Sequence, residues 1–134
     1  MLRLHRALIP AAIYFAAVFA FAFGFGVVRT LWLAPAIGAL AAVACEVPLV
    51  LALSRLIVAR LMQRFSITQT ASALALGGFA FALLMLSELA LAQMLRGQSP
   101  AAWLAAMRSP AGALGLVGQI GFALMPWWVV RRPG

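Results

Sequence analysis

Few side chains in this sequence could do chemistry, and the two with most to explain are the carboxylates Glu46 and Glu88, each set inside a long apolar run. A charged group at the centre of a bilayer helix costs about 2.5 to 3.5 kcal/mol on insertion scales, so such residues turn toward protein or a water-filled cavity. Each therefore needs a partner. Counted at the helical rise, Glu88 before Arg96 and Gln119 after Ala111 both fall roughly 12 Å below one membrane surface, and Glu46 counted from Pro35 falls roughly 16 Å below it. One polar layer then contains Glu46, Glu88 and Gln119. Arg29 enters from the rim, where its guanidinium can hold a carboxylate bidentately. Tyr14 lies inside the first apolar run, and its hydroxyl needs an acceptor. Such a layer suits a proton, a cation or a polar substrate, or else it is hydrogen-bonded glue between helices. Around Glu46, Pro48 has no N–H, so the Ala44 carbonyl loses its helical bond. Cys45 reads as a small buried hydrophobe beside it. Gly38, Ala42 and Glu46 share one face at four-residue spacing, which lets another helix come close.

Other chemistry is hard to assemble, and the expectation is that the chain is not an enzyme. The sequence has no aspartate, no lysine, no nucleophile-elbow serine and no zinc-protease helix motif. Ser54, Ser72 and Ser87 lie in or near apolar runs with no histidine to serve as base. His5 is the one histidine and cannot build a metal site alone, so no cofactor is expected.

The elements that must position these groups follow from composition. Of 134 residues 66% are apolar and 9% charged, with a mean hydropathy of +1.10. A water-soluble domain of this size could not carry that on its surface, so the expected fold is all-α, an integral membrane four-helix bundle.

Its first span, about 7–28, is too long for the roughly 7 to 15 apolar residues of a signal peptide and reads as a retained helix. In it Ala12, Ala16, Ala20 and Gly24 form a small-residue stripe suited to helix contact, opposite the bulkier Phe15, Phe19 and Phe23. Arg29 and Thr30 mark the first turn, with Trp32 in an aromatic belt, and the second span is about 32–57. Ser66 with Gln69 three residues on has the form of a capping box, starting a helix near Ile67 that enters the membrane near Thr70. The third span is about 70–95, with Gly77-Gly78 as a close-packing point. Ser99-Pro100 and Ser109-Pro110 each read as an N-cap followed by proline at the first helical position. Between them about 101–108 forms a short interfacial helix carrying Trp103, Leu104 and Met107. The fourth span, about 111–130, has glycine at positions 112, 115, 118 and 121. Pro126 bends its end, and Trp127, Trp128, Arg131 and Arg132 anchor it.

Four spans put both termini on one side. Arg3, Arg6, Arg55, Arg60, Arg64, Arg131 and Arg132 lie there, against Arg29, Arg96 and Arg108 on the other, so both termini are expected in the cytoplasm. The ten arginines and a pI near 12.0 do not cluster on a polar face as a nucleic-acid footprint does. Their expected partners are anionic head groups at Arg55, Arg60, Arg64, Arg131 and Arg132. A further copy of the chain or another membrane protein is the other partner class, and nucleic acid is not expected.

The run Gly26-Val27-Val28-Arg29, Pro35-Ala36-Ile37-Gly38, Glu46-Val47-Pro48 and Ser87-Glu88 resembles a pattern in small four-span bacterial inner-membrane proteins to which no activity is attached. Small multidrug-resistance transporters are similar in length and span number. Their essential glutamate lies in the first span, where this sequence has no acid, and no residues carry over. Two functions from different classes are expected: a non-enzymatic structural or accessory membrane component with Glu46 and Glu88 as internal contacts, or a small proton-coupled carrier using those carboxylates, as an oligomer or through a broken helix at Pro48.

Overall fold

The computed structural model describes residues 2–131, with side chains from residue 7 onward. Arg132 and the side chains of Arg3, His5 and Arg6 lie outside the described residues. Within them all regular structure is helical: α1 (Leu2–Val28), a π-helical stretch (Arg29–Leu33), α2 (Ala34–Ile37), α3 (Ala39–Arg64), α4 (Thr70–Arg96), α5 (Pro100–Ala106) and α6 (Pro110–Arg131). Four stretches are long and apolar enough to cross a membrane, namely Ala7–Ile37, Ala39–Arg64, Thr70–Arg96 and Pro110–Arg131.

The first reversal falls at Gly38 rather than at Arg29-Thr30. Neither Arg nor Thr stops a helix, and the chain runs through them in π form, the Ala34 N–H bonding the Arg29 carbonyl. Pro35 explains the widening, since it cannot supply the ordinary bond to the Leu31 carbonyl and crowds that turn. Gly38 then takes φ +91°, a conformation open to glycine and rarely to other residues, and α3 begins at Ala39.

The α3–α4 connection also differs from the expected capping box. Ser66 terminates α3 instead of starting α4. It sits at φ +55°, its N–H bonds the Gln63 carbonyl at 3.3 Å and the Ile67 N–H bonds the Met62 carbonyl at 2.9 Å, a Schellman closure. Helix α4 starts at Thr70 with no side-chain cap. The two serine caps downstream do form, Ser99 Oγ accepting from the Ala102 N–H at 3.1 Å and Ser109 Oγ from the Gly112 N–H at 3.0 Å.

In the bundle α1 and α6 each pack against both α3 and α4, so the spatial order is α1–α3–α6–α4. The core lies toward the end that carries Leu2 and Arg131: Ala7, Ala11, Tyr14 and Val18 of α1, Val58 and Met62 of α3, Ile67, then Ala73, Leu76, Ala80 and Leu84 of α4, and Phe122 and Met125 of α6. We call this the termini end. Toward the other, the Gly38 end, packing thins, and no residue from Phe19 to Ala41 is buried.

The inward face of α1 is the opposite of the one its small residues suggest. Ala12, Ala16, Ala20 and Gly24 are exposed, while Phe15 and Phe19 pack against the core. The line Ala7–Ala11–Tyr14–Val18 points inward, because the bundle needs volume there and Tyr14 and Val18 supply it. In α6 Gly118 and Gly121 work as packing points, whereas Gly115 faces open space. A Cβ at Gly118 would sit 3.1 Å from Val47 and one at Gly121 would sit 2.8 Å from Leu51 of α3. A Cβ on Gly77 of α4 would collide with the Ala123 carbonyl of α6, whereas Gly78 faces open space.

Candidate functional site

Starting α3 at Ala39 brings Glu46 to roughly 10 Å from the Gly38 end, level with Glu88 and Gln119 at roughly 12 to 14 Å. The π-helical stretch begins at Arg29, about as far before Gly38 as Glu46 is after it. The antiparallel hairpin around Gly38 therefore sets these two side chains face to face. Arg29 Nη1 donates to Glu46 Oε2 at 3.3 Å, with the side chains 31% and 17% exposed. On the other side of the bundle Gln119 Nε2 donates to Glu88 Oε2 at 2.6 Å. Both Glu88 and Gln119 are half-buried.

Each pair joins two helices. Arg29–Glu46 ties the first span to α3, and Glu88–Gln119 ties α4 to α6. By the same count along the helices the two pairs lie at a similar depth, in one polar layer. Each of the four polar side chains thus has a partner on a neighbouring helix.

Cys45 does not belong to the layer. It is exposed on the outside of α3, as are Ala44 and Pro48. Glu46 points inward, and one residue earlier on a helix lies about 100° around the axis. The Cys45 thiol, read from the sequence as a small buried hydrophobe, is therefore turned away from Glu46 and exposed. Ala42 is buried, as expected of the inward face.

Tyr14 stands apart from the layer, in the core at the termini end. Its hydroxyl donates to the Phe122 carbonyl at 2.7 Å, and its ring stacks on Phe122 with centroids 4.3 Å apart. The acceptor has a cause in the sequence. Pro126 lies four residues after Phe122 inside α6, so the helical N–H that would meet that carbonyl is missing. Tyr14 supplies the replacement donor from α1, across the diagonal of the bundle. Ser54 lies beside the Tyr14 hydroxyl and donates to the Val50 carbonyl of its own helix at 2.6 Å. A proline four residues after a carbonyl, with an intramembrane tyrosine seeking an acceptor, was the signal from which this contact could have been read.

At the termini end the arginines meet tryptophans. The Arg55 guanidinium lies 5.2 Å from the Trp128 ring centre and that of Arg131 lies 5.3 Å from Trp127. Comparison with protein-family models, with curated proteins and with solved structures finds no match to this chain.

Proposed function

We propose that this protein is a small, non-enzymatic component of a bacterial inner membrane, with both termini in the cytoplasm, and that its intramembrane polar residues clasp the helices together. The observation that carries this reading is the pairing itself. Both carboxylates are engaged by a residue on a neighbouring helix, one pair for each two-helix unit. Interhelical contacts of this kind are worth about 0.6 kcal/mol on average and up to about 1.7 in bilayers. That is enough to fix the register where the apolar core thins. In this reading α5 lies in the interface, presenting Trp103 and Met107, and the arginines of the termini end contact anionic head groups.

A second reading is favoured by one observation. The Arg29–Glu46 pair is not sealed by protein, so the layer is open to a small proton-coupled cargo. Purified wild type, Glu46→Gln and Glu88→Gln in detergent separate the two. The clasp predicts that both variants unfold at lower denaturant or temperature than wild type, and that wild type releases no protons on addition of amines, cations or organic acids. Proton release by wild type, abolished in either variant at unchanged stability, would replace the clasp with the carrier.

A further inference from the structure

The reversal at Gly38 differs in composition from the other connections. Those after α3, α4 and α5 carry Ser66, Thr68 and Gln69, then Gln98 and Ser99, then Arg108 and Ser109. From Leu33 to Ala44, on both sides of Gly38, no side chain is polar. Every residue from Pro35 to Ala41 is exposed, so the fold does not cover this tip. In water it would leave Ile37 and Leu40 unburied, each 50% exposed. The backbone sets the opposite limit. The Gly38 N–H bonds the Ala34 carbonyl and the Ala42 N–H bonds the Gly38 carbonyl, but the last carbonyls of α2 and the first N–H groups of α3 lie beyond the reach of helical partners. No side chain caps either helix here. Such groups are costly in hydrocarbon and need a polar neighbour. Depth agrees with both limits. Arg55, stacked on Trp128, marks the head-group level on the termini side, and from there to Gly38 is roughly 25 Å along α3. The hydrocarbon is about 30 Å thick. Gly38 thus reaches the far edge of that layer without passing it. Arg96 stands as far from Glu88 as Gly38 does from Glu46, at the same level, and its charge belongs at the head groups.

We propose that the Gly38 tip is a docking surface for the lipid leaflet on its side, seated at the boundary between acyl chains and head groups and not projecting into water. Acyl chains cover Ile37 and Leu40, and hydrated head groups reach the open carbonyls of α2 and the open N–H groups of α3. Only this boundary offers both kinds of neighbour within the length of one turn. The other connection at this end, from Gly97 to Ser99, has polar side chains and stands in water or among head groups. The seat is independent of the clasp and of the carrier, since it uses none of the four residues of the polar layer.

The test uses the full chain with Cys45→Ala and one new cysteine at a time, carrying a nitroxide, in phosphatidylcholine nanodiscs whose two faces are both open to solution. Oxygen concentrates in hydrocarbon and a nickel chelate stays in water, so the ratio of their collision rates with the nitroxide reads depth. Ile37→Cys and Ala39→Cys report on the tip. Ser99→Cys reports on the polar connection at the same end, and Leu49→Cys on the outer face of α3, where Leu49 is exposed roughly 16 Å deeper than Gly38. The expected oxygen-to-nickel ratio at both tip sites is several-fold above that of Ser99→Cys and several-fold below that of Leu49→Cys. A ratio equal to that of Ser99→Cys would overturn the seat, because the tip would then stand in water. A ratio equal to that of Leu49→Cys would overturn it in favour of a hairpin submerged in the hydrocarbon. Tip labels that meet neither reagent would overturn it in favour of a second copy or another protein covering the tip.

Discussion

The two ends of this bundle hold their helices by different means. At the termini end the polar contact repairs a defect. Pro126 strips a hydrogen bond from α6, and Tyr14 returns it from α1 in a packed apolar core. At the Gly38 end the polar contacts reinforce a thinner core: α1 has no buried residue beyond Val18, α3 still packs on α6 at Val47 and Gly118, and Arg29–Glu46 and Glu88–Gln119 join the helices at the same level. In a bilayer lipid tails are as apolar as leucine, so apolar side chains give no hydrophobic drive to associate, and close packing or polar pairing must supply it. The difference teaches that an intramembrane polar residue can be either a repair or a fastener, and that its depth does not say which. Its helical neighbours four residues away do.

The comparison breaks most readily at Gly77. There α4 approaches α6 so closely that any Cβ meets the Ala123 carbonyl, and backbone cannot step aside as a side chain can. Gly77→Ala should lower stability by about 3 kcal/mol, the upper part of the range for overpacking, despite the gain in helix propensity. Unfolding in a mixed-detergent titration would read this directly. The neighbouring Gly78→Ala, facing open space, should be neutral or slightly stabilising. If the two variants behaved alike, close packing would not be what distinguishes the termini end.

Next in size is the repair itself. Tyr14→Phe removes the donor and leaves the Phe122 carbonyl buried without a partner, an expected loss of about 1 to 2 kcal/mol. Pro126→Ala restores the helical N–H to that carbonyl. In the Pro126→Ala background, Tyr14→Phe should therefore cost about 1 kcal/mol less, a coupling that a double-mutant cycle measures. Additive losses would mean that the Tyr14 hydroxyl does not stand in for the bond that Pro126 removes.

Much of this arrangement is legible from sequence, and the parts that are not share one physical cause. The apolar runs mark the four long helices, and Ser99 and Ser109 mark the starts of α5 and α6, because hydropathy and capping chemistry are local. Counting depth brings Glu46, Glu88, Gln119 and Arg29 into one layer, even though the count for Glu46 began at the wrong residue. What is not legible is which face of a helix turns inward. In water an apolar stripe faces the core, but in lipid both faces of α1 are apolar. Its alanine stripe and its phenylalanine stripe then read equally well either way, and Cys45 offers nothing to orient it. The turn at Gly38 was hidden for a different reason. Arg29 and Thr30 look like a polar break, yet neither stops a helix, and the partner of Arg29 is Glu46 across the hairpin, a contact that exists only once the fold is formed.

The smallest expected effect lies outside both ends of the comparison, in the link after α3. Two helices here close with a left-handed residue, α4 at Gly97 with φ +63° and α3 at Ser66 with φ +55°. The first has the residue that adopts this conformation without a Cβ clash, and the second does not. Ser66→Gly should therefore stabilise the protein by about 1 kcal/mol, the left-handed cost relieved, less what a more flexible unfolded chain takes back. Gly97→Ser should lose a similar amount. The pair tests whether the Schellman closure at Ser66, rather than a capping box with Gln69, fixes how α3 hands over to α4. A capping serine replaced by glycine would lose only a few tenths of a kcal/mol. The two accounts thus predict opposite signs for one substitution, and a thermal melt of Ser66→Gly decides between them.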